Sequence, residues 1–287
     1  MLDQTELKPD NILQNITIGM SVSQSADLAR LGFLEVHFRQ AIAELTRTLL
    51  ILGGGLAYGG HLDSDGYTAF IMQELQKYSR RDQPLLICLP YQEHRRHSLT
   101  ELAEREKSLG LYGEIKYLTD DGAVASRDFN REEQAETIED PQLISKSLKS
   151  MRNYMTDEIN GRVLIGGKRE QYQGEIPGII EEVILSIKRE QPVYLVGGFG
   201  GVTMDIIRTI GYDEIDWFPY DEISLKMDSG YTKGMEELKE LIGRNIEKTL
   251  NNGLSEEENR LLAAAHRPID ISTLINLGLG RIELPKT

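Results

Sequence analysis

Three short apolar runs, each ending in a glycine cluster, constrain this chain more than any other feature. Residues 49–52 run into Gly53, Gly54 and Gly55, with Tyr58, Gly59 and Gly60 just beyond; 163–165 run into Gly166, Gly167 and Lys168; and 193–196 run into Gly197, Gly198, Phe199, Gly200 and Gly201. A buried parallel strand reads as a continuous apolar run, and open α/β sheets bind ligands outside strand carboxyl ends. Three strands are therefore expected to bring bare backbone to one sheet edge. Glycine there accepts positive φ and lets main-chain N–H groups approach a phosphate or ribose. On this reading a Cβ at Gly198 blocks the ligand and spares the fold. The alternative is steric, since tight strand-to-helix turns use glycine with no ligand involved. No cluster has the G-x-G-x-x-G spacing and no G-x-x-x-x-G-K-[ST] occurs, which argues against an ordinary dinucleotide dehydrogenase and a P-loop NTPase.

The chain of 287 residues is 40% hydrophobic and 27% charged, the balance of a folded globular protein with room for one large α/β domain. No apolar run approaches the roughly 18 to 20 residues of a membrane span, and the segment MLDQTELKPDNILQ is polar and acidic, unlike a secretory signal. A cytoplasmic protein with no membrane partner is expected. Its single cysteine, Cys88, lies inside the apolar run 85–89 and reads as a buried small hydrophobe. A formal net charge of −14 argues against nucleic acid as a partner, because such binding rests on clustered Lys and Arg. The acids concentrate at 128–140 and 256–258 and read as solvated surface. An anionic ligand must therefore meet local cations and backbone amides.

Strand and helix patterns alternate along the chain. Residues 16–21 read as a first strand, followed by a turn with Ser21, Ser23 and Ser25. Leu31, Leu34, Phe38, Ile42 and Leu45 recur at helical spacing over 26–46, and the run 49–52 supplies the second strand of a βαβ unit. Further helices are expected near 66–78, 98–109, 143–159, 178–189 and 203–210, and further strands at 85–89, 162–165 and 193–196. The polar, acidic 118–145 reads as a long loop. Pro177 opens the 178–189 helix, and a capping box from Ser255 to Glu258 opens the last helix, 255–265, after one at 233–251. The pattern predicts a doubly wound parallel α/β domain over residues 14–222, with a helical C-terminal extension, 223–287, packed on it.

Lys168 and Arg169 follow the second glycine pair, where a cation reaches a phosphate; two solvated loop cations are the plain alternative. Glu181 and Glu182 lie near the positive end of the helix after Pro177, where a carboxylate gains about 0.3 to 1 kcal/mol. Adjacent helical residues diverge by about 100°, so at most one faces a ligand, and the sequence does not choose between them. Tyr172 and Phe199 are candidates for stacking on a base or for plain packing. Arg39, beside Phe38, reads as a snorkelling side chain. Glu93, His94 and His97 form Glu-His-Arg-Arg-His, but a third ligand is lacking and two arginines repel a cation, so no metal is expected. Asp63, Ser64 and Asp65 suit a helix cap better than a calcium loop. No Gly-x-Ser-x-Gly and no Cys–His pair supports covalent catalysis.

The turn with Ser21, Ser23 and Ser25, the stretch Gly-Gly-Gly-Leu-Ala-Tyr-Gly-Gly at 53–60, the block Gly-Gly-Lys-Arg…Pro-Gly-Ile-Ile-Glu-Glu at 166–182 and Leu-Val-Gly-Gly-Phe-Gly-Gly from Leu195 together resemble the SLOG superfamily. That group includes Lonely-guy phosphoribohydrolases, the DprA family, and the sensor domains of melastatin-type channels and Thoeris defence effectors. The resemblance covers residues 14–210 and implies a Rossmann-like fold that binds an NAD-derived nucleotide, of ADP-ribose or cyclic ADP-ribose type. The ligand would lie against Ser21, Ser23, 53–60, 166–169 and 197–201. A sensor in bacterial antiphage signalling is implied, homo-oligomeric and acting through an effector partner, with no cofactor beyond the nucleotide. Lonely-guy enzymes carry Pro-Gly-Gly-x-Gly-Thr-x-x-Glu, whereas 177–182 reads Pro-Gly-Ile-Ile-Glu-Glu, which speaks against hydrolysis. The alternative is an N-glycosidase in which Glu181 or Glu182 stabilises a ribosyl cation. A third reading is an interaction protein with purely structural glycine turns.

Overall fold

A computed structural model of the chain describes residues 12–62, 66–78, 82–212, 228–242 and 246–282. The strands are β1 (Thr17–Ser23), β2 (Gly55–Gly59), β3 (Leu85–Leu89), β4 (Gly113–Leu118), β5 (Val124–Ala125), β6 (Gly161–Gly166) and β7 (Val193–Val196). The helices are α1 (Glu35–Ile51), α2 (Tyr67–Tyr78), α3 (Tyr91–Arg95), α4 (Leu99–Leu109), α5 (Pro141–Asp157), α6 (Gly178–Lys188), α7 (Gly201–Thr209), α8 (Ser229–Leu241), α9 (Ile246–Leu250), α10 (Glu256–Ala264) and α11 (Pro268–Arg281).

One sheet runs β5-β4-β3-β2-β1-β6-β7, parallel throughout except for the short antiparallel β4–β5 edge. β6 is buried along its whole length and β1 at all but its ends, as strands covered on both faces must be. The chain leaves β1 for β2, β3 and β4, then returns to pair β6 on the other side of β1. Strand order therefore reverses between β1 and β6. Right-handed crossovers then put α1 and α2 on one face and α5 and α6 on the other. This is the doubly wound, Rossmann-like architecture that the alternating pattern predicts.

The strand expected at 49–52 is instead the last turn of α1. Ile42, Leu45, Leu49 and Leu50 continue a single buried stripe, so helical periodicity runs through the apolar run and overrides its β-like composition. The helix ends in a Schellman motif. Gly53 takes φ +84°, its N–H reaches the Leu50 carbonyl at 3.0 Å, and the Gly54 N–H reaches that of Leu49 at 2.9 Å. Gly53 and Gly54 thus terminate a helix, and Gly55 opens β2 at the amino edge of the sheet, away from the carboxyl edge where they were expected.

Other expectations shift as well. The first helix starts only at Glu35, after hydrogen-bonded turns over 26–33. β4 was not anticipated, because Gly113–Leu118 mixes buried and exposed positions without a long apolar run. The acidic 118–145 contains β5 and the start of α5 but is otherwise irregular. It is tied down by Arg95, which donates to the Glu136 carboxylate at 2.7 Å and to the Asn130 carbonyl at 3.0 Å. Cys88 is fully buried, and that burial pushes its thiol up to about 12. It should stay unmodified by a thiol reagent in the native protein and react once unfolded.

At the C-terminal end, α8 and α9 stand where one helix was expected, and α11 has no counterpart in the sequence reading. The expected boundary at 222 and the Asp63–Ser64–Asp65 cap lie outside the described residues. α8 packs on α6, α10 on β7 and α11 on α1. The edge strand β7 is covered by this segment: the Asn252 amide donates to the Val193 carbonyl at 2.8 Å, and the Tyr194 hydroxyl donates to the Asn252 carbonyl at 2.9 Å. No helix among the described residues is long and apolar enough to cross a membrane.

Candidate functional site

A cavity of about 560 Å³ opens at the carboxyl edge of the sheet. It spans the ends of β3, β2, β1 and β6 and so includes the point of strand reversal, where open α/β sheets hold their ligands. Its size lies within the range of about 300 to 1,000 Å³ usual for small-molecule sites. Ser21, Ser23 and Gln24 come from β1 and its exit. Tyr58, Gly59 and Gly60 come from β2 and its exit, and Lys168 and Tyr172 from the loop after β6. Lys168 is exposed at the wall and makes no ion pair among the described residues.

Between α5 and α6 the wall rests on a buried charge network. Arg162 on β6 is 0% exposed. It donates to Glu182 Oε2 at 3.2 Å, Ser21 Oγ at 2.9 Å, and Thr156 and Ser186 hydroxyls at 2.8 Å. Burial pushes its ionisation below the ordinary arginine value, and the Glu182 carboxylate offsets only part of that. Arg152 adds a second cation: it pairs with Glu181, and its Nε lies 3.7 Å from Glu182 Oε1. Of the two acids after Pro177, Glu182 and not Glu181 lies on the cavity wall. The 100° divergence of neighbours on a helix sends Glu181 to Arg152 instead.

The opposite part of the wall carries Glu35, Arg39 and Tyr67, and beyond β3 it carries Glu93. Tyr67 donates to Glu35 Oε1 at 2.9 Å, and the Arg39 guanidinium stands 5.7 Å from the Tyr67 ring centre. Burial alone would raise the Glu93 carboxyl. His61, His97 and Arg96 outweigh it and hold that group well below the usual carboxylate range. His94 turns away to the Leu118 carbonyl at 3.0 Å, and its burial pushes it down to about 4. Among the described residues no group of three or more His, Cys, Asp and Glu side chains is arranged to hold a metal.

The structure thus brings Ser21, Ser23, Tyr58, Gly59, Gly60, Lys168, Tyr172 and Glu182 to one cavity. It places the other candidates elsewhere. Gly53, Gly54 and Gly55 sit at the amino edge. Gly166 and Gly167 fold the end of β6 against Ser23, with the Gly167 N–H on the Ser23 carbonyl at 3.0 Å. Arg169 is committed to Asp205 at 2.7 Å and Asp27 at 2.8 Å, leaving no fork for a phosphate. Phe199 is buried against Phe33 and Phe38 and cannot stack on a base. Gly197, Gly198, Gly200 and Gly201 are packing glycines. A Cβ on Gly198 would lie 2.1 Å from the Ala265 carbonyl oxygen, and one on Gly200 would lie 2.6 Å from Asp27. Gly198→Val should therefore destabilise the fold by about 1 to 3 kcal/mol or more, read as a lower urea midpoint. A variant as stable as wild type would contradict this packing.

Sequence reasoning missed Arg152, Glu35, Tyr67 and the role of Glu93, and it set Arg39 aside. Arg152 did leave a signal: it falls on the apolar stripe of Leu148, Met151 and Met155, where an arginine has to find buried partners.

The comparison with protein families agrees with this architecture. The family described as SLOG cluster2 matches residues 12–262. The chain belongs to that family, a nucleotide-related group of Rossmann-like domains. A comparison with curated proteins gives no match.

Proposed function

We propose that the cavity binds an NAD-derived nucleotide of ADP-ribose type, with phosphates toward Lys168 and the first turn of α6 and ribose hydroxyls toward Ser23 and Glu182. The observation that carries this reading is the convergence of Lys168, the amino end of α6 and the Gly59–Gly60 backbone on one cavity at the strand reversal. Lys168→Ala should weaken ADP-ribose binding by about 1.5 to 3 kcal/mol, the scale of a hydrogen bond to a charged group. Unchanged affinity in calorimetry would remove Lys168 from the site.

Binding without turnover is favoured by the state of Glu182. Its carboxylate is already balanced by Arg162 at 3.2 Å and Arg152 at 3.7 Å, so little of its charge is left for a developing ribosyl cation. N-glycosidic cleavage is the second reading, carried by the place of Glu182 on the wall. A day-long incubation with NAD or ADP-ribose, followed by chromatography, should return the nucleotide intact; release of nicotinamide from NAD or of adenine from ADP-ribose favours the enzyme. A sensor role in antiphage signalling, an effector partner and a homo-oligomeric state are part of the proposal and are supported by the SLOG resemblance.

A further inference from the structure

We infer that Asp228, which caps α8 outside the cavity, is a positioning residue for the ligand because it holds Tyr172 on the cavity wall. The inference rests on the nucleotide reading above and adds the element that sets the shape of that site.

Lys168, Gln171, Tyr172 and Gln173 bring the loop between β6 and α6 to the cavity. The loop has no helix or strand over 168–177, and among the described residues no main-chain N–H of 168–176 is bonded to a main-chain carbonyl. Gln171 takes φ +57°, a left-handed conformation that a residue other than glycine keeps only where its surroundings impose it. Side chains do the imposing. Arg169 ties the loop to Asp27 and Asp205, and two further links go to α8: the Tyr172 hydroxyl donates to Asp228 Oδ1, and Lys233 pairs with Glu175. Lys233 and Glu175 are both more than half exposed, so their pair adds little.

The link through Asp228 is better founded. Tyr231, Met235 and Leu238 are buried and seat α8, which packs on α6. Asp228 Oδ1 also accepts the Tyr231 N–H at 2.8 Å, so a single oxygen caps the helix and fixes the tyrosine. The Tyr172 hydroxyl is the main influence that holds the Asp228 carboxyl below its ordinary value. Gly230 lies against the same contact: a Cβ there would run into the Tyr172 hydroxyl and the Glu175 carbonyl. A ring held on a cavity wall offers its face to a base without further ordering. A ring released from its anchor has to be immobilised when the ligand arrives, and that entropy is subtracted from affinity.

Calorimetry of the full chain with ADP-ribose tests this. Asp228→Ala should bind about three- to tenfold more weakly than wild type, the scale of immobilising one side chain. Asp228→Asn should restore wild-type affinity, since its amide oxygen still accepts from the tyrosine and from the Tyr231 N–H. Tyr172→Phe keeps the ring and loses only the hydroxyl, so it should show the same loss, and adding Asp228→Ala to it should cost nothing further. A plain loss of helix capping would instead weaken binding equally in both backgrounds. Wild-type affinity in Asp228→Ala or Tyr172→Phe, no rescue by Asp228→Asn, or additive losses in the double variant would overturn the inference and leave the nucleotide reading standing. No binding by wild type would overturn both. Should Asp228→Ala fail to fold, Gly230→Ala decides the matter beside Tyr172→Phe: it crowds the hydroxyl without touching the cap and should reproduce the loss, and wild-type affinity in it would overturn the inference.

Discussion

Replacing Glu182 by alanine should cost about 3 to 5 kcal/mol of unfolding free energy, the usual cost of leaving one partner of a buried ion pair behind. Arg162 is 0% exposed, and Glu182 is the carboxylate it touches among the described residues. Three hydroxyls from Ser21, Thr156 and Ser186 orient the guanidinium but carry no charge to offset its own. Urea unfolding of wild type and variant measures the loss. Removing both charges, as Glu182→Leu with Arg162→Met, should recover much of it, because a packed apolar pair needs no compensation. A double variant less stable than Glu182→Ala would mean that the network holds the fold through its hydrogen bonds and not through charge balance. Glu181→Ala should cost much less, since Arg152 retains Glu182 nearby. Ligand tests at this position are better made with Glu182→Gln, which keeps an oxygen acceptor for the buried arginine.

Arg169→Ala should be of similar size, about 3 to 5 kcal/mol, because it strands two buried carboxylates. Arg169 bridges Asp27 at 2.8 Å and Asp205 at 2.7 Å, joining the exit of β1 to α7, and the Tyr231 hydroxyl extends the link to α8 at 2.9 Å. The loss carries a pH signature. Burial alone would raise the Asp27 carboxyl, but hydrogen bonds from Arg169 and the Gly201 N–H hold it below its ordinary value. A lowered folded-state value stabilises the protein above the unfolded carboxylate's value, about 3.9, and that contribution disappears as pH falls through the folded one. Without Arg169, burial prevails and the Asp27 value rises. The deficit of the variant should therefore be full at pH 7 and narrow toward pH 3. A deficit independent of pH would contradict the ion-pair account.

Much of the fold was legible because buried strands and amphipathic helices leave strong periodic signals. β3, β6 and β7 and helices α2, α4, α6 and α7 stand within a few residues of where those signals put them. The failure at 49–52 has a specific cause: a short apolar run followed by glycines describes both a strand entering a ligand loop and a helix entering a Schellman end. Only the continuation of the Ile42–Leu45 stripe separates the two. The candidate site was half legible for the same reason. Glycine clusters mark close backbone approach without saying what approaches, and at 197–201 the neighbour is the chain itself, through Ala265 and Asp27. Arg152, Glu35 and Glu93 reach the cavity from three helices far apart in sequence, and no local pattern announces such a meeting.

Amide hydrogen exchange with and without saturating ADP-ribose tests most directly whether the cavity at the β1–β6 reversal is the nucleotide site. The account predicts added protection at residues 20–24, 58–61, 168–173 and 178–182, with 53–55 unchanged at the opposite edge of the sheet. No added protection, or protection confined to 53–55, would contradict it.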